Sequence, residues 1–325
     1  MSLYPYAMAA LDDVVTVLRA VAEPTRVRVL RLLQQGELTV SDICAITGHS
    51  QPRISRHLRI LIDAGLLSRH REGSWVYYHR APQIPAAVLA LVDGIDDSDH
   101  QMSTDAARLD AERHRRRREA DEHFSRLAPT WDRERSRITP DAGVESRLLD
   151  IVMASTITRD AVVDLGTGTG RILSLLTPLA TRAVGIDSNH TMLRHARTAV
   201  ERTDGAAIEL RQADVAATGL PDHTFDLAVA HQLLHFLDSP DMALREAARI
   251  LKPGGTLIIV DLLAHQDETL RTEHAHRRLG FTSEQIERWC DGVGFDGLTE
   301  HRIDHSAGDL LPVCIWQATT TTGNQ

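Results

Sequence analysis

Ala161-Val162-Val163-Asp164-Leu165 runs directly into Gly166-Thr167-Gly168-Thr169-Gly170, and this junction restricts the fold more than any other segment of the chain. The residues before the glycines form a short, mostly apolar run of the kind that makes a buried strand. Those after them carry Ile172, Leu173, Leu175 and Leu176 at helical spacing. A strand followed at once by a helix is half of a βαβ unit and calls for a parallel sheet. Glycines at alternating positions let backbone approach a ligand where a Cβ would block it. The spacing is G-x-G-x-G, not the G-x-G-x-x-G of dinucleotide-binding loops.

The pattern repeats downstream. A second strand, Ala183–Ile186, ends at Asp187, and a third, Ile208–Ala213, ends at Asp214. A fourth, Phe225–Ala230, ends in His231-Gln232. The Leu251-Lys252-Pro253-Gly254-Gly255 turn then leads into a fifth strand, Thr256–Asp261. Strands alternating with helices, with acids at the strand ends, put a ligand across the carboxyl edge of the sheet. A carboxylate at position 187 suits a ribose diol, and one at position 214 suits an adenine amino group. Over residues 141–325 these landmarks resemble the class I S-adenosylmethionine-dependent methyltransferases.

That resemblance implies an α/β, Rossmann-like domain with a seven-stranded, mostly parallel sheet. Leu298–Ile303 and Val313–Thr319 would form its reversed final hairpin. It implies S-adenosylmethionine or S-adenosylhomocysteine as cofactor, held by Asp164, Gly166, Thr167, Gly168, Gly170, Asp187, Asp214, His231 and Gln232. Thr167 stands where a cysteine or serine is commoner. Should the domain transfer a methyl group to an acidic hydroxyl, His231 and His235 are candidate bases, because histidine titrates near neutral pH. His274 and His276 read as part of a helix covering the pocket, where residues two apart do not share a face.

The first 97 residues have a different character. Residues 8–22 read as a helix with Val14, Val17, Leu18 and Val21 on one face. Pro24 opens a second helix, which Gly36 ends. Thr39 or Ser41 caps a short third helix, and Ser50 caps a fourth that Gly65 closes. At 100° per residue, Ile54, Leu58 and Leu61 of the fourth helix face inward. Ser55, Arg56 and Arg59 face outward, with Arg53 and His57 on the flanks. Arginine can chelate guanine O6 and N7 or clamp phosphate, so this is helix-turn-helix geometry with a basic reading face. Two β-rich runs around Glu72-Gly73-Ser74 then form a hairpin, or wing. The expected DNA contacts are Gln51, Arg53, Ser55, Arg56, Arg59, Arg69 and Arg71.

Charge follows the same division. The chain carries −9 overall, yet residues 1–80 hold 10 arginines against 7 acidic residues. From Ala22-Glu23-Pro24-Thr25-Arg26 to Tyr77-Tyr78 the segment resembles ArsR-type winged-helix repressors. The resemblance implies an all-α/winged-helix domain, a homodimer built on its first and last helices, and a pseudo-palindromic double-stranded DNA operator. Metal-sensing members carry cysteines in the third helix, where this chain has Thr39 and Ser41. Nor does the stretch Asp93–His100 carry the Asp/His spacing of zinc sensors in the final helix. No metal site is expected.

The expected domains are thus 1–97, winged helix; 98–140, a helical linker; and 141–325, methyltransferase-like. Within the linker, residues 103–127 read as a charged helix with Arg115–Arg118 at its centre. It is read as solvated and connecting, with contact to flanking DNA as the alternative. The three cysteines lie far apart, no apolar run reaches the ~20 residues that span a bilayer, and the N-terminus lacks a signal-peptide pattern, so the expected location is cytoplasmic. Two functions stay open. One is a repressor whose second domain binds a small-molecule effector. The other is an active small-molecule methyltransferase whose winged helix dimerises or autoregulates.

Overall fold

The computed structural model describes residues 11–139, 141–154, 158–201, 203, 205–303 and 310–321. It divides into two compact units, 1–116 and 117–325, each taken here by itself.

In the first unit, α1 (Leu11–Val21), α2 (Pro24–Leu32), α3 (Val40–Thr47), α4 (Gln51–Asp63) and α5 (Ala86–Asp93) surround a small sheet. The part of the expected first helix before residue 11 lies outside the described residues. The sheet is β1 (Leu38–Thr39), β2 (Leu67–Glu72) and β3 (Trp75–Arg80), all antiparallel in the order β1-β3-β2. Val29, Leu30, Ile43, Ile46, Ile54, Leu58 and Leu61 form its core. Thr39 caps α3 through a full capping box: its hydroxyl accepts from Asp42 N, and the Asp42 carboxylate accepts from Thr39 N at 2.9 Å. Ser50 departs from expectation, since its side chain makes no capping bond. Glu23 caps α2, its carboxylate accepting from Arg26 N at 2.9 Å.

The stretch expected as a helical linker is helical as read, but not wholly solvated. It holds a 28-residue helix, α6 (His100–Leu127), and the boundary between the units falls within it. Its first part is integral to unit 1. Asp105 is buried and takes Arg28 in a two-pronged ion pair, Nε to Oδ2 at 2.6 Å and Nη2 to Oδ1 at 2.7 Å. Arg113 donates to Gln35 O at 2.6 Å, and Arg116 pairs with Asp42 and Glu112. Long-range pairs of this kind leave no signature in a helix of mixed charge, which explains the solvated reading.

The second unit adds α7 (Trp131–Arg135), α8 (Asp141–Ala154), α9 (Arg171–Leu176), α10 (His190–Val200), α11 (Pro240–Ile250), α12 (Thr269–Glu273) and α13 (Ser283–Asp291). Its strands are β4 (Ala161–Leu165), β5 (Arg182–Asp187), β6 (Ala207–Gln212), β7 (Phe225–His231), β8 (Leu251–Leu262), β9 (Phe295–Ile303) and β10 (Val313–Thr320). They form one seven-stranded sheet in the order β6-β5-β4-β7-β8-β10-β9, in which only β10 runs antiparallel to both neighbours. The chain reverses strand order beside β4, so the connections leaving β4 and β7 run to opposite sides and leave a crevice outside the carboxyl ends of these strands. Side chains alternate along each strand. Val163 and Leu165 pack with α11 and α13, whereas Val162 packs with α8 and α9. Trp316 and Phe225 lie fully inside the face covered by α11 and α13.

Candidate nucleic-acid interface and cofactor site

On α4 the division between faces is sharp. Ile54, His57, Leu58 and Leu61 are buried, while Gln51, Arg53, Ser55, Arg56 and Arg59 are exposed. Arg69 and Arg71 are exposed on β2, with Arg71 Nε donating to Gly73 O at 2.8 Å, which steadies the hairpin tip. His57 is not on a flank as expected. It is buried with Nδ1 3.5 Å from Glu23 Oε2, and its burial lowers its pKa even though Glu23 draws it upward. The exposed face of α4 is therefore basic through arginine alone.

In the second unit the glycine loop bends as its sequence requires. Gly166, Gly168 and Gly170 have φ of 70°, 54° and 82°, in the left-handed region that favours glycine. A Cβ on Gly166 would stand 2.6 Å from Leu233 Cδ1, and one on Gly170 would stand 3.0 Å from Ala196 Cα. A Cβ on Gly168 would make only ordinary contacts, 3.9 Å from Trp131 Nε1 and 4.0 Å from Gly166 O.

Asp187 lies at the tip of β5 beside this loop. One carboxylate oxygen accepts from Gly168 N at 2.9 Å and the other from Asn189 N at 2.8 Å. Each oxygen keeps a further lone pair, as a ribose diol needs. Burial pushes the carboxyl above the ordinary aspartate range, although those amides pull it back. Asp164 is more enclosed. It accepts from Thr167 Oγ1 at 2.6 Å, and burial drives its pKa up to about 7. Its role is internal, holding the loop through Thr167. Asp214 Oδ1 accepts from Ala216 N at 2.9 Å, and its Oδ2 is paired with Arg117 at 2.8 Å. An adenine amino group at Asp214 has to share the carboxylate with Arg117.

Strand β7 delivers His231 and Gln232 beside the loop. Both are buried. Gln232 has φ of 49° and donates from Nε2 to Thr139 Oγ1 at 2.8 Å, so its side chain is already committed. Burial, with Arg135 and Arg171 nearby, holds His231 well below the usual histidine pKa. A neutral, hard-to-protonate imidazole is a weak proton acceptor. His235 is better equipped. Its Nδ1 is 2.5 Å from Asp261 Oδ1, and the opposite oxygen of that carboxylate accepts from Leu234 N at 2.9 Å. The imidazole is thus held in place by a buried carboxylate.

Reasoning from sequence missed Asp261 as a partner, although its place at the end of a strand was visible. It also missed the aromatic wall. Phe124 meets Phe236 edge-on at 4.8 Å and Trp131 at 5.4 Å. His276 stacks on His235 at 4.2 Å. The helical reading of His274 and His276 is corrected. The helix α12 ends at Glu273, and Ala275 has φ of 58°, so the two imidazoles meet edge-on at 6.5 Å.

Residues 23–69 match the family described as "Bacterial regulatory protein, arsR family". The Arsenic resistance transcriptional regulator ArsR1 of Pseudomonas putida is 41% identical over 95 residues, 29% of this chain and 74% of that regulator. The chain belongs to the ArsR family. Fused to the winged helix of this ArsR-family regulator is a second domain, residues 163–259 of which match the family described as "Methyltransferase domain". The Phosphatidylethanolamine N-methyltransferase of Cereibacter sphaeroides is 38% identical over 104 residues, 32% of this chain, and the chain spans about half of that enzyme (51%). In structure, N-methyltransferase NodS from Bradyrhizobium japonicum, solved with S-adenosyl-l-homocysteine, matches with a TM-score of 0.51 at 17% identity. It covers 62% of the ArsR-family chain and 98% of NodS, which establishes the fold. Among its described residues, no helix is long and apolar enough to cross a membrane.

Proposed function

We propose that this chain is a transcriptional repressor whose methyltransferase-fold domain binds S-adenosylmethionine or S-adenosylhomocysteine as an effector. The observation that carries the reading is the split of α4. Five polar side chains face solvent and four core side chains face inward on one helix followed by a wing hairpin. The effector reading rests on the left-handed glycine loop and on the Asp187 carboxylate fixed beside it by Gly168 N. When bound, S-adenosylmethionine supplies an electrophilic methyl group. The chain's own part is to orient it: Asp187 receives the ribose, and the loop from Gly166 to Gly170 lies against the amino-acid portion.

A homodimer accounts for the apolar row on α1, where Leu11 and Leu18 are 78% and 52% exposed. A second copy covering that row gives two reading helices for two half-sites. Arsenic chemistry is not carried over from the relative. Thr39 and Ser41 are hydroxyls, and burial raises the pKa of the single nearby thiol, Cys44.

The test is operator binding by the full chain, titrated with S-adenosylhomocysteine. A coupling of about 1–3 kcal/mol changes DNA affinity about 5- to 150-fold, and Asp187→Ala removes the response. Arg56→Ala and Arg59→Ala each lower the salt slope by about 1. Unchanged DNA affinity at saturating ligand refutes the effector role. A second reading, active methyl transfer, is favoured by the His235–Asp261 pair. Labelled methyl groups appearing on a small molecule, and disappearing in His235→Ala with ligand binding intact, support it.

A further inference from the structure

The small sheet of the first unit gathers ligand-bearing residues that lie far apart in the sequence. Ser68 pairs with His79, His70 with Tyr77 and Glu72 with Trp75, so these six share one face of the hairpin. Thr39 pairs with Tyr77, which sets Thr39, and by alternation Glu37, on that same face. Glu37 and Glu72 are buried, and His70 and His79 half-buried. One ligand atom each from Glu37, His70 and His79 lies within 4.8 Å of the others. His70 Nε2 is 3.6 Å from Glu37 Oε2 and 3.1 Å from Glu72 Oε1.

We propose that Glu37, His70 and His79, with Glu72 beside them, form a divalent-cation site of the zinc class. The donor types fit: imidazole and carboxylate are ligands of zinc in sites without thiolate. Donors bound to zinc at about 2.0–2.2 Å stand about 3.3–3.5 Å apart, so rotations of about 1 Å close the present arrangement. The charges fit as well. Two buried carboxylates meet at one imidazole nitrogen, a concentration of negative charge that a cation complements. A dication with two neutral imidazoles and two carboxylates leaves no net charge.

The surroundings hold the ligands in place. His79 Nδ1 donates to Arg80 O at 2.9 Å, which orients the imidazole ring. His70 lies parallel to Tyr77 with ring centres 5.6 Å apart, which fixes the ring plane. The wing arginines Arg69 and Arg71 alternate to the opposite face, so they do not compete for this position. Occupancy would join the residue before β1 to the wing hairpin. This site differs from the thiolate sites ruled out on sequence. Its ligands are separated by 33 and 9 residues and converge only through strand register.

The experiment uses the full chain without a histidine tag, stripped by chelator and titrated with cobalt(II), then with zinc. The expected result is one equivalent of cobalt with visible d–d absorption, displaced by zinc. His70→Gln, His79→Gln and Glu37→Gln should each weaken binding at least about tenfold, while Arg71→Gln leaves it unchanged. Circular dichroism shows whether each variant folds, and the three separate ligand variants keep the test open if one does not. Absence of stoichiometric cobalt or zinc binding overturns the proposal. So does undiminished binding in the His70→Gln/His79→Gln double variant, which would put the ion on other histidines. Neither outcome touches the effector reading, which concerns the other unit.

Discussion

Asp105→Asn is the change that best tests how the first unit is held together. The Arg28–Asp105 pair is nearly closed to solvent, with side-chain exposures of 7% and 3%. Arg28 also donates to Thr47 O at 3.1 Å, just ahead of the reading helix. Removing the carboxylate charge leaves a guanidinium buried without its counter-ion, a loss of about 3–5 kcal/mol. The retained bond to Thr47 O puts the expected value near about 3 kcal/mol. For a domain of this size each kcal/mol lowers the melting temperature by about 4 °C or more, so the first unit should melt about 12 °C lower. Calorimetry of the full chain measures the shift, and amide hydrogen exchange across α2–α4 assigns the transition. Arg28→Met with Asp105→Leu removes both charges together and should cost less than about 1.5 kcal/mol, since apolar replacement of a buried pair is often neutral. The reasoning fails if Asp105→Asn costs under about 1 kcal/mol, or if the double change costs as much as the single one.

Two further outcomes follow from the second unit. Gly170→Ala combines a left-handed φ with a Cβ 3.0 Å from Ala196 Cα, so about 1–2 kcal/mol of backbone strain adds to about 1–3 kcal/mol of overpacking. Thermal melting should show this loss, and Gly219→Ala, at φ of 66° with only an arginine tip nearby, should show the strain alone. Asp164 has its folded pKa raised from 3.8 to about 7, so it is neutral in the folded state while already ionised in the unfolded one. Its contribution to stability is therefore present below pH 4, is lost as pH rises toward 7, and is level above that. Asp164→Asn should flatten this part of the profile in urea unfolding measured between pH 4 and 8, and an unchanged difference between variant and parent would refute the assignment.

What could be read from the sequence was local. A helix with one apolar face, a hairpin around Gly73, and strands ending at Asp187 and His231 all declare themselves within about ten residues, whereas Asp214 falls two residues past the end of β6. Features that depend on residues meeting across the fold did not. Asp105 reads as one more charge on a charged helix until Arg28 is seen against it. His235 reads as a lone histidine until β8 brings Asp261 beside it. His274 and His276 read as helical because the flanking residues suit a helix. The left-handed Ala275 breaks it, and nothing in the composition of that segment announces this. Glu37, His70 and His79 are the extreme case, since strand register alone makes them neighbours.

The four tryptophans of the chain are distributed in a way that matters for experiment. Trp316 and Trp289 are sealed in the core, so their emission should change little while the fold is intact. Trp131 stands at the mouth of the glycine loop, and Trp75 sits across from Glu72 on the wing sheet, its ring 6.2 Å from Tyr77. Each of the two candidate sites thus carries its own natural fluorophore. Replacing Trp75 or Trp131 with phenylalanine would leave an optical signal for one site alone, so that ligand arrival at each can be timed without attaching a label.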